Sequence, residues 1–164
     1  MTELPHQKTA WGLIEQIAFC MLVTHESDNC RLRSRPMSTH IKLGDDAIYF
    51  LIDADSRIED DISADNNVCL AFAGPESQKY VSITGAAEIL SDGDEFAELW
   101  SVAERAWWDT RNDANVRVIR VVPTDIEYWE GNAHGTHTEK LAASLNRTAV
   151  SGQNHLASEG HAQQ

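Results

Sequence analysis

Apolar residues recur three or four apart between positions 6 and 18, at Ala10, Trp11, Ile14, Ile17 and Ala18, which predicts a short helix with one buried stripe. The run AFCMLVT at 18–24 is continuously apolar and strand-like, and HESDN at 25–29 is a turn cluster leading into a second strand, CRLRSRPMSTHIKL, at 30–43. In that strand a period of two puts Arg31, Arg33 and Arg35 on one face. Pro36 cannot donate to a ladder and marks an edge, a bulge or a ligand-facing break. AIYFLID at 47–53 forms a third strand and runs straight into a short helix starting at Ser56, whose apolar contribution is Ile58 and Ile62. VCLAFA at 68–73 reads as a fourth, buried strand. The fifth, KYVSITGAAEIL at 79–90, turns Val81, Ile83, Ala87 and Ile89 one way and Tyr80, Ser82, Thr84 and Glu88 the other. Gly85 marks either a bulge or a close approach of another backbone. From Asp92 to Trp108 the helical period returns, with Phe96, Leu99, Trp100, Ala103 and Trp107 on one stripe that reads as core, a subunit interface being the rival reading. VRVIRVV at 116–122 is a sixth strand, which Pro123 interrupts before IEYW at 126–129, and beyond Gly131 the pattern stops.

The fold class expected from this order is mainly β with flanking helices, and 164 residues with a 42% hydrophobic fraction suffice for one core. Residues 132–164 are rich in Ala, Ser, Asn, Gln and Gly and cannot bury enough apolar surface to offset their conformational entropy, so a mobile tail is expected there. That stretch holds His134, His137, His155 and His161, but their spacing matches no metal-binding pattern, and no metal is expected. The formal charge of -13 argues against nucleic acid or an anionic membrane as partner. Cys20, Cys30 and Cys69 are odd in number and none stands in a Cys-x-x-Cys pair; Cys20 and Cys69 fall in apolar runs and read as buried thiols. With no basic and apolar leader and no apolar run of about 18 residues, a cytoplasmic protein is the expectation. Glycine-rich nucleotide loops and the Gly-x-Ser-x-Gly elbow are absent from the sequence, and no residue announces itself as a nucleophile or proton-transfer group.

The junction FLIDADSRIEDD at 50–61 is the most informative chemistry. The free amides and the positive dipole end of a helix starting at Ser56 suit an anion, and Arg57 adds a charge that can grip a phosphate bidentately. The same residues also make a plain capping box, with Ser56 and Glu59 in the S-x-x-E spacing, which needs no ligand. Both readings stand at this point.

Four segments, in order, carry a resemblance: SRPMST at 34–39, YFLIDADSR at 49–57, KYVSITGAAEIL at 79–90 and P-x-x-IEYWEG at 123–131, joined by ELW at 98–100. Over about residues 8–131 the chain resembles the flavin-binding split-barrel family that includes the pyridoxamine 5'-phosphate oxidases, and within it the bacterial general stress protein branch. The resemblance implies a six-stranded antiparallel split barrel over residues 1–131, a homodimer, and one FMN in each of two clefts between the subunits, with FAD left open as the other flavin. It implies that Arg35 and the stretch Pro36, Met37, Ser38 and Thr39 line the flavin ring and phosphate. Ser56 and Arg57 match the phosphate-binding pair, and Tyr80 and Trp129 match ring-side positions. Ile52 and Ile58 stand where stress-protein relatives carry Thr and Lys. His40 stands where the oxidases carry a Lys, and Gly135 where they carry an Arg, although His137 matches their His; pyridoxamine phosphate oxidase activity is therefore not expected. The implied function is an FMN-dependent oxidoreductase of unknown substrate. The alternatives are a non-enzymatic flavin-binding or stress-response protein, and an empty barrel serving as an interaction module.

Overall fold

The computed structural model of the chain describes residues 5–42, 45–94, 97–99, 115–132 and 135–140. The first predicted helix is α1, Pro5–Ile17, which buries Ala10, Leu13 and Ile14 and rests Trp11 and Ile17 against the core. Ala18 then takes a left-handed conformation (φ 63°) and turns the chain directly into β1, Phe19–His25. Alternation along β1 sends Cys20, Leu22 and Thr24 inward and leaves Phe19 and Met21 outside.

β2 (Leu32–Ser38) pairs antiparallel with β1, from Phe19 opposite Ser38 to His25 opposite Leu32. The single second strand predicted at 30–43 divides at Thr39, because the two residues that follow, β3 (His40–Ile41), pair with β4 (Ile48–Asp53) on the far side of the barrel. α2 (Arg57–Ala64) follows, then β5 (Asn67–Gly74), a single 3-10 turn at Pro75–Ser77, and β6 (Lys79–Leu90). Next come β7 (Val116–Asn132) and β8 (Gly135–Lys140). The sheet order is β2-β1-β5-β6-β7-β4-β3, with β8 also paired to β7. Every pairing is antiparallel, and the curled sheet is a split barrel built from eight strand segments rather than six. Its interior is filled by Leu22, Phe50, Leu70, Phe72, Ile83 and Ile119, none more than 2% exposed.

Pro123 does not interrupt the sixth predicted strand. It is buried inside β7 opposite Gly85, while Asp125 lies opposite Thr84, so Thr124 is the extra residue of a bulge. Both alternatives for Gly85 hold together: a Cβ there would sit 2.7 Å from the Val122 carbonyl oxygen and 2.9 Å from Val121 Cγ1. Gly85→Ala is accordingly expected to cost about 1–3 kcal/mol of stability, through a forced backbone shift at the bulge. Denaturant unfolding measures it, and a loss below about 0.5 kcal/mol, the range of ordinary surface changes, would show that the bulge yields freely.

Asp94 and residues 97–99 are helical, and Leu99 packs with Ala47, Tyr49 and Val118 in a second, smaller cluster. Phe96, Trp100, Ala103, Trp107 and Trp108 lie outside the described residues. Residues 135–140, expected from composition as the start of a mobile tail, form a strand instead: β7 runs past the end of β4, and its free edge from Glu127 to Asn132 takes β8 as partner. Residues 141–164 lie outside the described residues. Among those described, no helix is long and apolar enough to cross a membrane.

Candidate functional site

β4 ends at Asp53, and the turn Ala54–Asp55 is pinned by the Ala54 amide donating to the Asn115 carbonyl at 2.7 Å. Ser56 is then the N-cap of α2 in extended conformation, its Oγ accepting from the Ile58 amide at 3.2 Å. The capping box is only half made. The Glu59 carboxylate lies 3.8 Å from Arg117 instead of returning to Ser56, whose amide donates to the Asp53 carbonyl. Glu59 and Asp60 in the first turn already complement the helix dipole. Asp53, Asp55, Ser56 and Asn115 line an open pocket of about 450 Å3 at this end. Arg57, the next residue in the chain, has its side chain 77% exposed and its guanidinium 3.8 Å from Asp28, a loose surface pair.

Arg35 faces inward. Its Nη2 donates to Asp61 Oδ2 at 2.8 Å and its Nη1 to Thr24 Oγ1 at 2.8 Å; Thr24 in turn donates to Asp61 Oδ2 at 3.1 Å, and the Ser27 amide donates to Asp61 Oδ1 at 3.0 Å. Burial by itself would push the Asp61 carboxyl up. The bonds from Arg35, Ser27 and Thr24, with the Arg35 charge, outweigh it and hold the group below the ordinary carboxylate value. At a helix start the adjacent acids Asp60 and Asp61 would both suit capping and solubility, yet only Asp60 is exposed. The signal was present, since Ile58, Asp61 and Ile62 fall at i, i+3 and i+4 on the buried stripe of α2.

The remaining segment residues divide by strand alternation. Met37 packs against the core, while Pro36 and Ser38 point outward beside Met21 and Phe19. Thr39 closes the α1–β1 corner, both its amide and its hydroxyl donating to the Ala18 carbonyl. His40 pairs across to Tyr49, and burial pushes its imidazole pKa down, so it is neutral at pH 7. Tyr80 on β6 lies directly opposite Trp129 on β7 and opposite Ala73 on β5. That places it level with Phe19 at one end of β1, whereas Thr24 and Asp61 sit at the other, five residues or roughly 17 Å along the strand. In one chain, therefore, the structure brings Arg35 close to α2 but leaves Tyr80 and Trp129 far from Ser56 and Arg57.

The thiols carry no obvious chemistry. Burial pushes Cys20 up to about 12, with Cys69 nearby adding to the effect. Cys69, expected to be buried, is only half-buried, because alternation on β5 turns it to the outer face. The side chains of His134 and His137 lie outside those described; among the described residues no group of three His, Cys, Asp or Glu side chains is placed to hold a metal ion.

A family model described as pyridoxamine 5'-phosphate oxidase like matches residues 5–155. The chain belongs to the pyridoxamine 5'-phosphate oxidase-like family. Among solved structures similar to it, a protein related to general stress protein 26 from Clostridium acetobutylicum is 18% identical, with TM-score 0.66 over 82% of this chain and 93% of that one. General stress protein 26 from Bacillus anthracis is 22% identical, with TM-score 0.63 over 76% and 94%. A pyridoxamine 5'-phosphate oxidase-related, FMN-binding protein from Nostoc punctiforme is 12% identical, with TM-score 0.61 over 86% and 99%. At these identities the likeness shows the fold of the oxidase-like family. No curated protein matches the chain.

Proposed function

We propose that this oxidase-like chain is an FMN-binding protein whose cleft is assembled from two copies, and that it acts as a flavin-dependent oxidoreductase. The observation that carries the reading is the separation just described. The candidate phosphate end, Ser56 and Arg57, and the aromatic pair, Tyr80 and Trp129, lie at opposite ends of one sheet, so one chain alone cannot put both on one ligand. The outer face between them is apolar and open, with Phe19 60%, Met21 38% and Tyr80 38% exposed and Ala71 and Ala73 beside them. Such a face in an otherwise acidic molecule suits a second copy.

The residues fit the group. Ser56 and the amides of the first turn suit a phosphate, and Arg57 is held so loosely by Asp28 that a bound anion competes with it readily. Asp53 and Asp55 on the pocket wall oppose an anion, which makes Arg57 the deciding charge. Tyr80 and Trp129 offer flat apolar surface to a ring. Bound flavin supplies an N5 that accepts or donates hydride or electrons. The chain itself contributes orientation and exclusion of water, and His40 stands opposite Tyr49 of β4.

Titration with FMN tests this. Quenched flavin fluorescence is the expected result, and Arg57→Ala should weaken binding by about 1.5–3 kcal/mol through loss of a charge-assisted bond. Failure to bind at high micromolar FMN would sink the reading. Oxidation of a reduced nicotinamide above the rate of free flavin then separates an oxidoreductase from a flavin-binding protein without turnover.

A further inference from the structure

We propose that Thr39 is a positioning residue for the flavin cleft. It acts through the Ala18 carbonyl, and what it fixes is the ring-lining stretch Pro36–Ser38 together with Phe19 at the aromatic end of the sheet. The inference rests on the flavin reading above.

A carbonyl oxygen has two lone pairs, and at Ala18 one residue supplies both donors. The Thr39 amide donates at 3.0 Å and the Thr39 hydroxyl at 2.8 Å. From the other side the Ala18 amide donates to the Ile14 carbonyl at 2.9 Å and closes the last turn of α1. The φ of 63° at Ala18 is a helix-ending conformation that favours glycine. Another residue stays there only where its surroundings over-determine it, and the two bonds from Thr39 do so.

This corner lies where the chain changes partners. Ser38, the last residue of β2, pairs with Phe19, the first of β1; two residues later His40 pairs with Tyr49 of β4. Thr39 belongs to neither ladder, and the Ala18 carbonyl takes the place of a strand partner. Phe19, Ala73, Tyr80 and Trp129 stand level with one another across β1, β5, β6 and β7, so the corner closes the same end of the outer face that carries the aromatic pair. β2 is the outermost strand of the sheet order and is paired only to β1 among the described strands. Its last residues are therefore held by β1 on one side and by the Thr39 corner at the end.

The amide bond alone would complete the turn with any residue but proline at this position. The hydroxyl adds a second bond to the same oxygen, which locks the side-chain torsion and leaves the corner no freedom to pivot. A flavin ring seated against Pro36–Ser38 and Phe19 then meets a surface already ordered, and binding does not have to order it. Reciprocity follows: the bound ligand must in turn hold the corner closed.

The test compares wild type with Thr39→Val, which keeps the shape and the amide bond and loses the hydroxyl, and with Thr39→Ser, which keeps the hydroxyl. FMN affinity is read by fluorescence quenching, and the fixation of the ring by the visible circular dichroism of the bound flavin. Thr39→Val is expected to bind roughly three- to tenfold more weakly, the order of one hydrogen bond, with a diminished dichroic band. Thr39→Ser should match wild type in both. A structural role alone lowers the unfolding midpoint of Thr39→Val and leaves affinity and band where they were; that result overturns the inference. Should Thr39→Val fail to fold, amide hydrogen exchange on wild type decides. Saturating FMN is expected to slow exchange at Thr39 and Ala18, and unchanged exchange at both overturns the inference. If wild type itself binds no FMN, the flavin reading has failed first, and the inference falls with it before any variant is read.

Discussion

Arg35→Ala is expected to lower the free energy of unfolding by about 3–5 kcal/mol at neutral pH, because it leaves the Asp61 carboxylate buried without its counter-charge. The effect has a pH signature. In the intact protein the folded-state pKa of Asp61 lies below the ordinary value of 3.8, so its contribution to stability is complete above that value and is lost as pH falls through the folded pKa. In Arg35→Ala the bond and charge of Arg35 are gone and only the Ser27 and Thr24 bonds still oppose burial, so the folded pKa of Asp61 moves up. As pH falls, wild type then loses more of its stability than the variant does. Urea unfolding of both proteins at pH 7 and near pH 4 should show a gap that narrows in acid. A gap of constant size would mean that lost packing, not charge, explains the loss.

Met21→Glu is expected to abolish both the proposed dimer and the proposed flavin binding. Met21 lies near the middle of the exposed face, opposite Ala71 on β5 and Pro36 on β2. A carboxylate there must be desolvated in an interface, and a twofold axis would set it near its own copy; such juxtaposition costs several kcal/mol. A loss of about 3 kcal/mol already weakens association roughly a hundredfold. Light scattering after gel filtration measures the mass, and FMN titration of the same sample measures the site. A monomer that still quenches flavin like wild type would separate the cleft from the interface and return Tyr80 and Trp129 to some other task.

Period and alternation made most of this architecture legible. The strands around Phe50, Leu70 and Ile83 announce themselves by buried alternation, and Ser56 by its capping spacing. The division at Thr39 was not legible, since Thr39, His40 and Ile41 suit a strand equally well; what parts them is the partner each finds, Ala18 for Thr39 and Tyr49 for His40. β8 was hidden for a related reason: a polar segment carries little strand signal, and the free edge of β7 supplies the order. Local motifs also cannot see distant partners. Glu59 looked like half of a capping box because Arg117, the residue that claims it, lies far along the sequence. In the candidate site, Arg35 and Arg57 are both visible as charges, but Asp61, the buried partner of Arg35, is hard to tell from its exposed neighbour Asp60 by residue type alone.

β7 has a consequence for how the protein is made. β4 and β6, completed by residue 90, both wait for β7 as their inner neighbour, and β7 begins only at Val116. On the ribosome, the first ninety residues therefore emerge as two partial sheets with their central edges unsatisfied. Closure is a late, long-range event that waits on the emergence of the last long strand, which exposes the nascent chain to strand-edge association until translation has passed Asn132.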